Sequence, residues 1–507
     1  MSTVAYAPRL SERTPFDWRA RLLYELDNQA VTAQLFEAYY DGQHPLQFAT
    51  TKFREAFGTL FAAFADNWCQ IVVDSSVERL KIVGFQVGGK PNTAAWEIWQ
   101  ESSLDVESVI AHTESGKTGH AFLLVDPTTD PPRITVESAA QVVVWRDPAD
   151  RRKRLAALKR WLGDDGFVYA TLYLPDVVLK YESAKPINEQ SFVGSGVEWV
   201  ERLEEDPEVP NELGVVPVIP LESKPDLKGT AHSDLEPAVP LQNAVNKLCT
   251  DLIVASEYGA FQQRVATGVE VPVDPETNQP LRAVEMKAAM SRLWTFKAPD
   301  AKVTSLPSTD LSNFVSAIEM FIQHLAAQTR TPPHYLLGQV VNASGDALSV
   351  AEAGLVSKCR GKILFFSDAW EEAIALALTA AGEASFTSAE CEAIWANPER
   401  LSQAQLTDAA VKKKTLGVPL PMIWLELGYT PEQIVEMEKV ETAAEEARLA
   451  AAAAAEAARV AVKEEGPQPG ALPGTAPPST GPAAPSTAAG SGVPPVTPPT
   501  QIGGTRG

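Results

Sequence analysis

Two long helices, each with a single apolar stripe and separated by about forty residues of unlike chain, constrain this sequence more than any motif in it. Leu241, Val245, Leu248 and Leu252 recur at steps of four, three and four. That spacing places them on one face of a helix predicted from about Pro237 to Gln263. Asn243, Asn246, Lys247, Asp251 and Glu257 fall on its other sides. Leu311, Phe314, Val315, Ile318, Phe321, Ile322 and Leu325 repeat the pattern after Pro307, with Ser308 or Thr309 as the expected N-cap. Pro332 and Pro333 cannot continue that helix. Two helices of this kind cannot bury their stripes as an isolated hairpin, so they need neighbours.

The chain between them reads as a small α+β excursion, with strands at Val269–Val273 and Leu293–Phe296 and a short helix at Glu285–Met290. After the second stripe comes a loop, Leu336 to Asp346, and then Ser349-Val-Ala-Glu352, which fits a capping box opening a further long helix to Gly382. That helix contains Gly354 and Gly361, each costing about 1 kcal/mol relative to alanine, so close packing or a bend is expected at one of them. Ala389–Trp395, Ser402–Thr415 and Pro431–Lys439 are predicted helices of a small cap, split by Asn397-Pro398 and Gly417-Val-Pro-Leu-Pro421.

Upstream, Trp18, Leu22, Leu23 and Leu26 fall at helical spacing, as do Phe53, Phe57, Leu60, Phe61 and Phe64. Lys81–Val87, His120–Val125, Gln141–Trp145, Leu155–Trp161 and Phe167–Tyr173 are short runs rich in β-branched and aromatic residues and read as strands. Leu162-Gly-Asp-Asp-Gly166 suits a hairpin turn between the last two. Glu198–Glu236, acidic and broken by Pro207, Pro210, Pro217, Pro220 and Pro225, reads as an exposed connection.

Charge narrows the function. Across 507 residues, 65 acids against 43 bases give a formal charge of −22, which disfavours an electrostatic DNA binder. Residues 443–507 hold five acids and four bases, so the acidity belongs to the body. Beyond about Glu465 the Pro/Gly/Ser/Thr-rich remainder is too poor in large apolar groups to build a core. Cys69, Cys249, Cys359 and Cys391 lack the close pairing of a zinc knuckle and read as reduced thiols. The charged N-terminus resembles no signal peptide, and no apolar run approaches membrane-spanning length.

Catalytic motifs fail on inspection. Gly116-Lys117-Thr118 ends like a P-loop, but Ala111 stands where the earlier glycine is needed, and a helix precedes it where a strand should. The six histidines form no His-Glu-x-x-His pair, and His324 on a helix face reads as a packed or interfacial residue. Glu204, Glu205 and Asp206 sit in a Pro-rich stretch that reads as solvated loop. The basic run Arg151-Arg-Lys-Arg154, with Lys159 and Arg160, is split between two strand faces and reads as a charge-protected edge. No enzyme, cofactor or metal site is expected.

The order of elements, together with Tyr39-Tyr-Asp-Gly, His44-Pro-Leu, Phe64-Ala-Asp-Asn-Trp-Cys69, Val72-Val-Asp74, Gly119-His-Ala-Phe-Leu-Leu-Val-Asp126 and Thr329-Arg-Thr-Pro-Pro-His-Tyr-Leu-Leu-Gly338, resembles the siphophage-type portal proteins of tailed double-stranded DNA bacteriophages from about residue 15 to 440. The resemblance implies an α+β portal fold. Residues 1–236 are its mixed α/β wing, 237–266 the first stem helix, 267–307 a small α+β clip and 308–333 the second stem helix. A tunnel loop at 334–348, a long kinked tunnel helix at 349–384 and a helical crown at 385–442 follow. An Ala-rich helix at 443–465 and a disordered tail at 466–507 complete the chain.

It further implies a ring, typically of twelve copies, at one capsid vertex of the virion, with synthesis in the bacterial host cytoplasm. Double-stranded DNA passes through the ring in packaging and ejection. The terminase large subunit, a head–tail adaptor, and the major capsid and scaffolding proteins are the implied partners, with no membrane. Gln339, Val340, Val341, Asn342, Ala343 and Ser344 in the tunnel loop face the DNA, and the bend falls at Gly354 or Gly361. Arg282, Lys287, Arg292, Lys297 and Lys302 serve clip docking and contacts between subunits. The competing readings are a metal-dependent phage nuclease and a non-portal capsid assembly or scaffolding protein.

Overall fold

The computed structural model describes residues 13–43, 51, 55, 66–187, 196–202, 205–260, 264–267, 300, 302–305, 310–338, 345–383, 387–400 and 403–464. The chain divides into two units, residues 1–440 and 441–507. The first is a mixed helix-and-sheet body, the α+β class expected from the sequence.

Helix α1 (Pro15–Tyr40) is closed at its start by a capping box between Thr14 and Asp17. Trp18, Leu22, Leu23 and Leu26, read as one helical face, are buried against Val143, Ala156, Leu158 and Leu172. Helices α2 (Cys69–Val77), α3 (Thr93–Glu101) and α4 (Leu104–Thr118) follow, interleaved with strands β1 (Ile82–Val87) and β2 (Lys90–Pro91). Then come β3 (His120–Asp126), β4 (Arg133–Glu137), β5 (Val142–Arg146), β6 (Arg154–Leu162), β7 (Val168–Tyr173) and β8 (Val177–Ser183). Strands β6 and β7 pair from Leu162 with Val168 back to Ala157 with Tyr173, so Gly163–Phe167 is the predicted hairpin turn.

The acidic stretch 198–236 is more than a connection. It supplies β9 (Trp199–Glu201) and β10 (Glu208–Pro210), which pair with β8 along the edge away from β7, and β11 (Val218–Glu222), which pairs with β3 along Val218–Leu124 to Glu222–His120. Val218, Ile219 and Leu221 are buried. Its prolines are tolerated because β11 is the edge of the order β11-β3-β4, where a missing donor breaks no ladder on the outer side.

The striped helices are α5 (Ala238–Ala260) and α6 (Ser312–Thr329), which pack on each other. Helix α6 starts after Leu311 with no side-chain cap, in place of the expected cap at Ser308 or Thr309. Asp310 instead accepts from the Ser312 backbone and hydroxyl, a local turn at the helix entry. Arg264–Thr267, expected to end the first stem helix, is strand β12, paired with β13 (Lys302–Ser305). The strands and helix expected between 269 and 296 lie outside the described residues, as do Phe53, Phe57, Leu60, Phe61 and Phe64 and the tail from 466.

Short helix α7 (Pro333–Leu337) occupies the first part of the predicted tunnel loop, and α8 (Gly345–Ala380) begins four residues before the expected start at Ser349. In the cap, Cys391–Trp395 is not helical. It is β14, pairing antiparallel with β1 in the sheet β14-β1-β2. Cys391 and Ala393 are buried and Glu392 is exposed, the two-residue alternation of a strand. Helix α9 (Gln403–Thr415) matches its prediction, α10 (Leu420–Glu426) fills part of the expected break, and α11 (Pro431–Glu464) runs unbroken through residue 442. The largest core packs Phe366, Trp370, Ile374 and Leu378 of α8 against Trp96 and Trp99 of α3, Phe85 of β1 and Leu123 of β3.

Candidate functional site

The long helix α8 carries a buried ionic centre built around Asp234, just before α5 begins. Lys358 and Lys362 are four residues apart on α8 and therefore share a face. Lys362 Nζ lies 2.9 Å and Lys358 Nζ 3.2 Å from Asp234 Oδ2, and Lys224 Nζ lies 2.8 Å from Oδ1. Asp234, Lys358 and Lys362 are all buried, so each charge depends on these partners.

Further donors and acceptors complete the centre. Lys362 donates to Ser223 Oγ at 3.1 Å and Lys358 to the Val72 carbonyl at 3.2 Å. The Asp234 amide donates to the Gly116 carbonyl at 3.0 Å. Burial alone would raise the Asp234 carboxyl, but the ammonium groups of Lys358, Lys362 and Lys224 outweigh it and hold the carboxyl well below the usual range. Burial brings Lys358 down to about 8, with Lys362 and Lys224 pushing the same way and Asp234 opposing. The centre thus ties α2, α4 and the segment leading into α5 to the long helix through one carboxylate.

A second ionic group holds the ends of the segment 339–344. Arg79, next to α2, donates to Glu352 Oε2 at 3.0 Å, to the Tyr335 hydroxyl at 2.8 Å and to the Pro398 carbonyl at 3.1 Å. Glu352, predicted to close a capping box with Ser349, is spent on Arg79 and Tyr335, and α8 already extends upstream of it. Leu336 of α7 is buried in the same cluster as Val73, Val245 and Ile322. Gln339, Val340, Val341, Asn342, Ala343 and Ser344, expected to form the tunnel loop, lie outside the described residues, but the elements on either side are anchored.

Burial along the two striped helices is graded. Val245, Ile322 and Leu325 are buried, and Leu241, Ile318 and Phe321 pack against them. Leu248, Leu252, Leu311 and Phe314 are half-buried, and Val315 is exposed, as is Met320 beside the stripe. Tyr39 and Asn243 hydrogen-bond at 3.0 Å, and the Gln242 side chain donates to the Asp66 carbonyl at 2.6 Å while accepting from the Trp68 amide at 2.9 Å. These bonds pin the first turns of α5 to the body. Of the predicted clip residues, Lys302 is exposed at the start of β13, while Arg282, Lys287, Arg292 and Lys297 lie outside the described residues.

Among the described residues, nothing packs closely on either helix glycine. A Cβ at Gly361 would meet nothing within 4 Å, and one at Gly354 only Arg330 Cβ at 3.9 Å. Gly116, by contrast, is required by packing, since its Cβ would stand 2.8 Å from Val73 Cγ1. Its neighbour Lys117 pairs with Glu114 at 3.0 Å, and helix α4 leads into strand β3, the reverse of a phosphate-loop order.

The basic run also differs from a solvated edge. Arg154 pairs with Glu372 at 2.7 Å, Lys159 with Glu137 at 2.6 Å and Arg160 with Asp27 at 2.6 Å, leaving Arg151, Arg152 and Lys153 exposed in the β5–β6 turn. Glu205 of the acidic cluster pairs with Lys180 and Arg202. His324 is exposed and meets Phe321 edge-on. Among the described residues, no three His, Cys, Asp or Glu side chains come together as a metal-binding group, and no helix is long and apolar enough to cross a membrane.

The ionic centre escaped sequence reading. Its one available signal was the pair of lysines four apart on the apolar side of a long helix, and its carboxylate sits in a stretch whose other acids are mostly solvated.

Comparison with known proteins places the whole arrangement. Residues 19–448 match the family described as phage portal protein, SPP1 Gp6-like. The portal proteins of Mycobacterium phages L5 and D29 are 28% and 29% identical to this chain over 395 residues, covering 73% of this chain and 77% of each relative.

Proposed function

Since the chain belongs to the SPP1 Gp6-like family of phage portal proteins, we propose that it closes into a ring of twelve at one capsid vertex and conducts double-stranded DNA through the hole. It is a phage portal protein and a component of the virion, of a family that is structural and oligomeric. The observation that carries the reading is the family match, which spans residues 19–448. The physical chemistry agrees: Val315 and Met320 leave apolar surface on the stem that a neighbouring stem would cover.

In this reading residues 1–236 are the wing, 237–266 and 308–333 the stem, 267–307 the clip, 349–384 the tunnel helix and 385–442 the crown. Lys302, with Arg282, Lys287, Arg292 and Lys297, belongs to the clip surface that receives the terminase large subunit during packaging and the head–tail adaptor afterwards. The major capsid and scaffolding proteins meet the ring during assembly in the host cytoplasm. Residues 339–344, uncharged and small to medium in size, touch the moving DNA, and Gly354 or Gly361 allows the long helix behind them to bend. The charge of −22 per chain suits a conduit, because duplex DNA carries one charge per ~1.7 Å of axis and a basic lumen would hold it.

Negative-stain electron microscopy of the purified full-length protein tests the reading. Rings with an axial hole are expected. Compact monomers that cleave DNA would replace the portal with the nuclease.

A further inference from the structure

Helix α8 carries an outer stripe that none of the described residues covers. Val350, Gly354, Ser357, Gly361 and Leu364 follow one another at steps of four, three, four and three, so they lie on one face about 21 Å long. Val350 is 76% and Leu364 73% exposed, and the neighbouring Phe365 is 42% exposed. None of the five is charged, and the side chains are smallest in the middle, where an added Cβ meets little or nothing. The result is a shallow trough with apolar ends.

Leu364 and Phe365 also line a cavity of about 460 Å³. Two of its arginines are engaged within the chain, Arg146 with Glu222 at 2.9 Å and Arg154 with Glu372 at 2.7 Å. Arg151 and Arg152 are exposed on its rim, and Asp226 and Asp368 are its remaining acids.

A second unpartnered surface has the converse character. Helix α4 turns Val106, Val109 and Ile110 to solvent, 64%, 48% and 51% exposed, at the spacing of a helical ridge. Its first turn is acidic, with Asp105 and Glu107. A ring of identical subunits closes through a heterologous contact, in which two different patches of each copy complement one another. An apolar trough with a basic rim and an apolar ridge with an acidic end are such a pair.

We propose that in the ring helix α4 of one subunit lies along the outer face of α8 of the next, with Val106, Val109 and Ile110 against Leu364, Phe365 and the Gly354–Gly361 trough, and Glu107 toward Arg151 and Arg152. The occupant is a second copy of this chain, and the proposal rests on the ring assembly proposed above. The two glycines are then explained. They cost helix propensity in the free protomer because they admit a neighbour's helix.

Cysteine pairing in full-length protein tests the contact. Chains carrying Ile110→Cys and Leu364→Cys together should form an oxidant-dependent ladder of covalent oligomers on a denaturing gel, up to the closed ring. Chains carrying either substitution alone should stay single. Leu364→Glu should abolish rings in native mass spectrometry while leaving the circular dichroism spectrum unchanged. Arg151→Glu with Arg152→Glu should weaken the rings, and Glu107→Arg added to both should restore them. Rings that persist in Leu364→Glu, or that form without the double-cysteine ladder, overturn the contact and leave the portal reading standing. An unaltered chain that never forms rings overturns both.

Discussion

The two faces of helix α8 follow opposite rules. Its inner face is packed within the chain: Trp370 meets Trp99 edge-on at 5.1 Å, Phe366 stacks on His112 at 4.9 Å, and Lys358 and Lys362 share Asp234. Its outer face is smooth, uncharged along the stripe and, among the described residues, unopposed. A face that is finished within its own chain fixes the protomer, and a face that is unfinished there is written for assembly. Substitutions on the inner face should therefore change the stability of one chain, and those on the outer face its association.

The largest test of the inner face is acid. His112 accepts a hydrogen bond from Trp370 Nε1 at 3.1 Å, and burial, reinforced by Lys362, pushes its pKa down to about 3. The native imidazole stays neutral where the unfolded one takes up a proton below about 6.5, so its stabilisation is complete above that pH and lost progressively toward 3. The full difference is about 5 kcal/mol. In urea titrations across this window the stability of His112→Gln should fall less steeply than that of the unaltered protein. Equal slopes would remove His112 from the acid response.

Next in size is the ionic centre. Asp234→Ala leaves Lys358 and Lys362 buried without their shared counter-ion, a loss of about 3–5 kcal/mol. Replacing both lysines by methionine in the same chain should recover most of it, because an apolar site of similar volume demands no partner. If Asp234→Ala alone costs less than about 1 kcal/mol in chemical denaturation, the lysines have found water or other acceptors, and the contrast between the two faces weakens.

What was legible in the sequence follows the same division between local and distant causes. The hairpin β6–β7 and the stripes on α5 and α6 were readable because periodicity and turn chemistry sit within each segment. Strand β14 was not, because Ala389, Glu390, Glu392 and Ala393 favour a helix and the partner β1 whose pairing overrides them lies in a distant part of the chain. Strand β11 was hidden by Pro217 and Pro220, residues that an edge position tolerates but that imitate a linker. Asp234 looked like its solvated neighbours because the lysines that bury it belong to another helix.

The smallest effect separates the faces most finely, because it substitutes one methyl group at two glycines. Gly116 faces the core, where its Cβ would stand 2.8 Å from Val73 Cγ1, so Gly116→Ala should cost about 1–3 kcal/mol through overpacking. Gly361 has open space, so Gly361→Ala should stabilise the protomer by up to about 1 kcal/mol through helix propensity. The gain should appear in full in a Leu364→Glu background, where no ring forms, and shrink or reverse in the assembled protein, where the added methyl enters the neighbour's helix. Thermal melts of the four chains decide it: an equal gain in both backgrounds would mean that Gly361 faces water in the ring as well, and that the trough admits no helix.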